Sequence, residues 1–130
     1  MTSRTFPPGF LWGVASAGHQ NEGDNVHSDT WFAENVTPTV FRDPSGAACH
    51  GYELWRDDVD LAAGMGLSAY RFSVEWARVE PVEGEFSDEA LAHYEAIVDR
   101  AIERGMAPVV TFNHFTSPHW FAAKGSWLDA

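Results

Sequence analysis

The sequence predicts an α/β fold: the N-terminal three βα units of a (β/α)8 TIM barrel, with the barrel itself incomplete. Three observations predict it. The chain carries a weak internal repeat, in which Gly66-Leu-Ser-Ala-Tyr-Arg-Phe-Ser-Val-Glu-Trp76 and Gly105-Met-Ala-Pro-Val-Val-Thr-Phe-Asn-His-Phe115 share a Gly, a bulky apolar residue, a small-residue step, an aromatic or β-branched run and a polar end. Each Gly closes a helical pattern, so a helix lies in each crossover and the strands are expected to pair in parallel. All three strands end in polar or aromatic side chains, Gln20 and Glu22, Glu75 and Trp76, Asn113 and His114. The carboxyl ends of the strands are where such a barrel carries its functional groups.

The elements follow in order. Phe10 to Ala15, "FLWGVA", supplies the first strand. After a long loop, Tyr52, Trp55, Val59, Ala62 and Ala63 form an apolar stripe at helical spacing that stops before Gly66. The run after Gly66 is the second strand. Ser87 is the N-cap of the next helix, with Asp88 and Glu89 in its first turn and Leu91, Tyr94, Val98, Ala101 and Ile102 along one face. Gly105 ends that helix as a C′ residue, and residues 109 to 112 form the third strand. A doubly wound sheet is the competing α/β architecture, but "SAGHQNEG" after the first strand is not the Gly-rich phosphate loop it calls for. A closed barrel takes about eight such units in ~250 residues. Residues 1–130 are therefore expected to be the N-terminal fragment of a single barrel domain, with both sheet edges unpaired.

Composition excludes several function classes. Eight basic residues stand against 19 scattered acidic ones, a formal charge of −11, so neither nucleic acid nor an anionic membrane surface is an expected partner. No apolar run approaches the roughly 18 residues of a membrane span. Pro7, Pro8 and Gly9 stand where an export signal would place a continuous apolar helix. With Cys49 as the lone cysteine, no intramolecular disulfide or thiolate metal cluster can form, which suits the cytoplasm. No local motif makes Cys49 a nucleophile, and it reads as a small spacer residue. The oligomeric state is not encoded in any feature of this segment.

The strand-end residues admit more than one role when read alone. Gln20 and Glu22 could contact ligand hydroxyls bidentately or cap nearby backbone. Arg71, mid-strand between Tyr70 and Phe72, needs a carboxylate partner if buried. It makes a structural ion pair or lies beneath an active-site carboxylate and keeps that group ionised. Glu75 is the best-placed carboxylate for acid–base work, with an outward-facing alternative. His114 is a ligand contact or a hydrogen-bonded structural residue. Neither His114 with His119 nor "HQNE" at 19 to 22 has the spacing of a metal-ligand set.

Three blocks together resemble glycoside hydrolase family 1, the β-glucosidase family. Phe10-Leu-Trp-Gly-Val-Ala-Ser-Ala-Gly-His-Gln-Asn-Glu-Gly23 is similar to its opening signature, "AYRFSVEWARVEPVEG" at 69 to 84 to its second-strand block, and "PVVTFNHFTSP" followed by "KGSW" to its third. The resemblance runs in register over residues 6 to 128. It implies hydrolysis of β-glycosides with retention, by two glutamates whose carboxyls stand roughly 5 to 5.5 Å apart, with no metal and no cofactor. It further implies that Gln20 and His114 bind sugar hydroxyls and that Arg71 lies under the nucleophile and holds it anionic. Glu75 matches no catalytic position of the family, and Trp12, Trp76 and Phe72 become barrel packing. His19, Asn21, Asn113, Phe115 and Thr116 depart from the residues the family usually carries there. The family's acid–base motif Asn-Glu-Pro and nucleophile motif Glu-Asn-Gly are both absent from residues 1–130. The expected substrate is thus a β-glycoside or oligosaccharide, with the segment alone inactive. The alternative is a non-catalytic sugar-binding or assembly module that completes a barrel with another chain; an unrelated metal-dependent barrel hydrolase ranks behind both.

Overall fold

The structure, a computed structural model, describes residues 5–128. Strands β1 (Gly13–Ala15), β2 (Ala69–Ser73) and β3 (Ala107–Thr111) form one parallel sheet in the order β1-β2-β3, open at both ends. Between β1 and β2 lie α1 (Gly18–Asn21), α2 (Asp29–Asn35) and α3 (Gly51–Gly64). Between β2 and β3 lie α4 (Trp76–Val79) and α5 (Asp88–Glu103), and β3 is followed by α6 (His119–Ala123) and a 3₁₀ turn at Ser126–Leu128. The expected order of strands and long helices is present. The short helices α1, α2, α4 and α6 occupy the connections that leave the carboxyl ends of the strands. In register, Gly13 stands beside Ala69 and Ala69 beside Ala107, while Ser73 pairs with Thr111.

Two faces of the sheet have different fates. Tyr70 and Phe72 of β2 alternate toward the helices, where they pack with Val59 and Ala62 of α3 and Ala90, Tyr94, Ile97 and Ala101 of α5 in the buried core. Arg71 points to the opposite face, the side a closed barrel would enclose. The two long helices are joined at the surface by Arg100, whose Nε and Nη2 donate to the two oxygens of Asp60 at 2.8 and 2.7 Å. Helix ends follow local chemistry: the Ser87 hydroxyl accepts the Ala90 N–H, and Gly66 and Gly105 take positive φ (80° and 75°) just past α3 and α5.

Several expectations are corrected. The first strand is Gly13–Ala15 and not Phe10–Ala15, because the chain is still turning through Gly9 at φ 80°, with the Phe10 N–H on the Pro7 carbonyl. The third strand begins at Ala107, two residues before the expected start; Pro108 is tolerated within a strand whose outer edge carries no neighbour among the described residues. On α5, Tyr94 and Ala101 are buried as expected, but Leu91 and Ile102 are 46% and 58% exposed, and Ala90 and Ile97 take their place. At 100° per residue, positions 90, 94, 97 and 101 define the face over the sheet. Residues 91 and 102 lie on the flank away from α3, where the next helix of a complete ring would pack. Trp12, expected as barrel packing, is half exposed and meets Phe6 and Phe10 edge to face. Phe72 is core as expected, and Trp76 is half-buried against Trp120, Phe121 and Trp127.

The corrected stripe makes a measurable contrast. Ile97→Ala is expected to lower the stability of the protein by about 2–5 kcal/mol, whereas Leu91→Ala costs under about 1 kcal/mol, as read by denaturant unfolding.

Candidate functional site

The connections after β1, β2 and β3 meet around the carboxyl group of Glu75, which is 1% exposed. Its Oε1 accepts the His19 N–H at 3.0 Å, and its Oε2 accepts from Asn25 Nδ2 at 2.8 Å and from the Thr116 hydroxyl at 2.7 Å. The loop after β1 thus supplies two donors and the loop after β3 a third. The backbone beside it is equally constrained: the Gly18 N–H donates to Ser73 Oγ at 2.7 Å, and a Cβ on Gly18 would stand 2.3 Å from Glu75 Cγ. Only glycine lets the start of α1 approach Glu75 this closely. Glu75, expected to be free for acid–base work or outward-facing when read alone, is a structural tie.

Behind it lies a second carboxyl, Glu22, 8% exposed and facing the helices. Its Oε2 accepts Arg78 Nε at 2.7 Å, and the Tyr94 hydroxyl donates to Oε1 at 3.0 Å. Arg78 also donates to the Gly23 carbonyl and lies 4.3 Å over the Tyr52 ring. Burial pushes the Glu22 carboxyl up to about 7; the Arg78 guanidinium opposes the shift and the neighbouring Glu75 adds to it. Burial also raises the Tyr94 hydroxyl, reinforced by Glu22. Of the two roles open to Glu22 in the sequence, ligand contact and backbone capping, its side chain takes neither: Glu22 is an internal ion-pair partner. About half a turn of helix separates its role from that of Gln20, since Gln20 on α1 and the C-cap Glu22, two residues on, point roughly 200° apart.

In front of Glu75 opens a cavity of about 520 Å³, lined by Ala17, His19, Gln20, Thr30, Glu34, Phe41, Asp43, Ser45, His114, Phe115 and Thr116. Gln20 and His114, from separate strand ends, both line this cavity. Gln20 is exposed and His114 half-buried. Arg71 stands beneath them, its Nε donating to Thr111 Oγ1 at 2.7 Å, Nη1 to the Ser16 carbonyl at 2.9 Å and Nη2 to His114 Nδ1 at 2.8 Å. Three of its five N–H groups are engaged by acceptors from β3 and the strand-end loops, and no carboxylate pairs with it among the described residues, so of its two open roles the structural ion pair is not the one observed. His119 stacks on Phe32 and is engaged apart from His114.

The wall opposite β3 escapes sequence reasoning. Glu34 on α2 accepts His19 Nε2 at 3.0 Å through Oε1, and the Ser45 N–H and hydroxyl at 2.9 and 2.7 Å through Oε2. Burial alone would raise the Glu34 carboxyl, but the hydrogen bonds from the Ser45 backbone, His19 and the Ser45 hydroxyl together hold it below the usual range. Asp29 pins the same loop to the β3 side by accepting the Ser117 N–H at 3.0 Å while its own N–H donates to the Ser117 carbonyl at 2.8 Å. Nothing in the local pattern around residues 29, 34 and 45 marks them. Thr116 alone had a signal, its place two residues after His114.

Three parallel βα units whose strand ends converge on a polar cavity define the opening part of a (β/α)8 barrel with its ligand face at the carboxyl ends. The comparisons agree. The model of glycosyl hydrolase family 1 matches residues 2–130. The crystal structure of β-glycosidase BGL167 superposes with a TM-score of 0.91 at 55% identity, covering 94% of this chain and 29% of that one. A β-glycosidase from Pyrococcus horikoshii superposes at 0.87 with 45% identity, covering 93% and 28%. β-Glucosidase A of Thermotoga maritima is 36% identical over 136 residues, 99% of this chain and 30% of that protein. The chain belongs to glycosyl hydrolase family 1, as its N-terminal portion, and spans about 30% of the length of the curated relatives it matches.

The buried Glu22 makes stability depend on pH. Its folded value of about 7 lies above the ordinary 4.5, so the unfolded chain releases this proton first. Its contribution is full below about pH 4.5 and is lost as pH rises through about 7; thermal unfolding in Glu22→Gln should show a flatter profile across that window than in the native protein. Gly18→Ala, which drives a methyl into Glu75, is expected to destabilise by more than about 1 kcal/mol.

Proposed function

We propose that this chain is the N-terminal portion, within a single barrel domain, of a retaining β-glycosidase that acts on β-glucoside-like substrates, and that Gln20 and His114 hold hydroxyls of the sugar in the cavity at the strand ends. The observation that carries the reading is the convergence of Gln20 and His114 on one cavity in a chain of this family. An amide that donates and accepts, beside an imidazole, suits a vicinal pair of hydroxyls. Arg71 lies under this floor with two guanidinium N–H groups beyond the three it uses locally, and it would direct one of them at a nucleophilic carboxylate supplied by a later strand. No metal or cofactor enters the reading. The exposed Cys49 suits a reducing compartment, and the cytoplasm is the proposed location. No described helix is long and apolar enough to cross a membrane.

Hydrolysis needs two carboxyls across the scissile bond. Residues 1–130 hold neither Asn-Glu-Pro nor Glu-Asn-Gly, and Glu34 on the cavity wall has both oxygens engaged. By themselves these residues are expected to hydrolyse nothing. A second reading, a module that completes a barrel with another chain, draws on the outer edges of β1 and β3, unpaired among the described residues.

The test uses an aryl β-glucoside. Purified residues 1–130 should release no phenol, and a longer chain carrying both motifs after residue 130 should release it. In that longer chain Gln20→Ala and His114→Ala should each lower kcat/KM by about 10- to 100-fold, the loss of a buried hydrogen bond to substrate. Turnover by the 130 residues alone, lost in Gln20→Ala, would overturn the reading. A stable complex with a second chain that restores turnover would favour the module instead.

A further inference from the structure

We infer that Arg71 fixes His114 as the Nε2–H tautomer, so that the cavity meets a hydrogen-bond donor and no acceptor at this position. A guanidinium donates at every nitrogen and accepts at none. His114 Nδ1, 2.8 Å from Arg71 Nη2, must therefore be the accepting nitrogen, and an accepting nitrogen carries no proton. The one proton of the neutral ring sits on Nε2. The guanidinium cannot swing away to relax this, because Nε is held on Thr111 Oγ1 at 2.7 Å and Nη1 on the Ser16 carbonyl at 2.9 Å. These anchors come from β3 and from the end of β1, on either side of Arg71 itself. Arg71 is thus a positioning residue that acts through His114.

The same reasoning applied to His19 gives the opposite result for the cavity. His19 Nε2 faces Glu34 Oε1 at 3.0 Å, an acceptor, and its Nδ1 faces the Asn25 amide nitrogen at 3.4 Å, a donor. His19 is also an Nε2–H ring, but its proton is spent inside the wall. Of the two imidazoles that line the cavity, His114 is the one whose N–H has no partner among the described residues. A ligand hydroxyl received there accepts through its oxygen and keeps its own proton for a second partner; Gln20, on the same lining, offers an amide oxygen. This consequence rests on the sugar-binding reading above. The tautomer does not.

The experiment is the long-range ¹H–¹⁵N correlation spectrum of the protein labelled at histidine nitrogen, at neutral pH and without sugar, with the His114 ring assigned by its loss in His114→Gln. Nδ1 is expected as the unprotonated nitrogen and Nε2 as the protonated one, and in Arg71→Met the two forms should mix. A protonated Nδ1 in the native protein overturns the inference. So does an Arg71→Met spectrum in which the native pattern persists. The native spectrum alone decides the tautomer, so the inference stays refutable even where Arg71→Met fails to fold. Because no sugar is present, a negative result leaves the glycosidase reading standing, and a failed activity test leaves this one standing.

Discussion

The carboxyl group of Glu75 is the constraint on which the ligand face depends. A buried carboxylate costs several kcal/mol unless donors surround it. Here the donors are the His19 N–H, the Asn25 amide and the Thr116 hydroxyl, so satisfying one group requires two strand-end loops to be in place around a third. The cavity is the space those loops leave. Gly18 belongs to the same constraint, since the close contact with Glu75 Cγ leaves no room for a side chain.

Glu75 is coupled backward as well. Its N–H donates to the Tyr94 hydroxyl at 3.2 Å, and that hydroxyl donates onward to Glu22, which accepts from Arg78. One chain of hydrogen bonds therefore runs from the helix layer to the strand ends. Such a chain leaves little slack: each donor is committed once, and a displaced member leaves a buried neighbour unpaired. The Glu34–Ser45 and Asp29–Ser117 contacts work differently, the first closing the long loop after β1 on itself and the second fastening it to the β3 side.

Much of the frame was legible because it is written in local chemistry. Ser87 and Gly105 bound α5, Gly66 closes α3, and the repeat located β2 and β3. Misreadings arose where a neighbour distant in sequence decides. Leu91 and Ile102 fall at helical spacing, but which flank α3 covers is not written in α5. Glu22 and Gln20 look alike in a loop; a short helix sends one inward and the other out. Arg71 was rightly conspicuous, yet its partners are a threonine, a carbonyl and an imidazole brought from residues 16, 111 and 114. The family was legible in ordered blocks, whereas Asn25, Asp29, Glu34 and Ser45 carry no pattern a single sequence can display.

The sheet register bears on how the whole barrel closes. Gly66 and Gly105, equivalent residues of the repeat, lie 39 positions apart, but Ala69 pairs with Ala107 and Ser73 with Thr111, 38 positions apart. Relative to the repeat, β3 therefore slips by one residue against β2. A slip of one per strand, carried through about eight strands, amounts to a shear of about eight, the value that sets the strand tilt of a (β/α)8 barrel. The offset between β2 and β3 is thus of the size that such a closure asks of each strand pair on average.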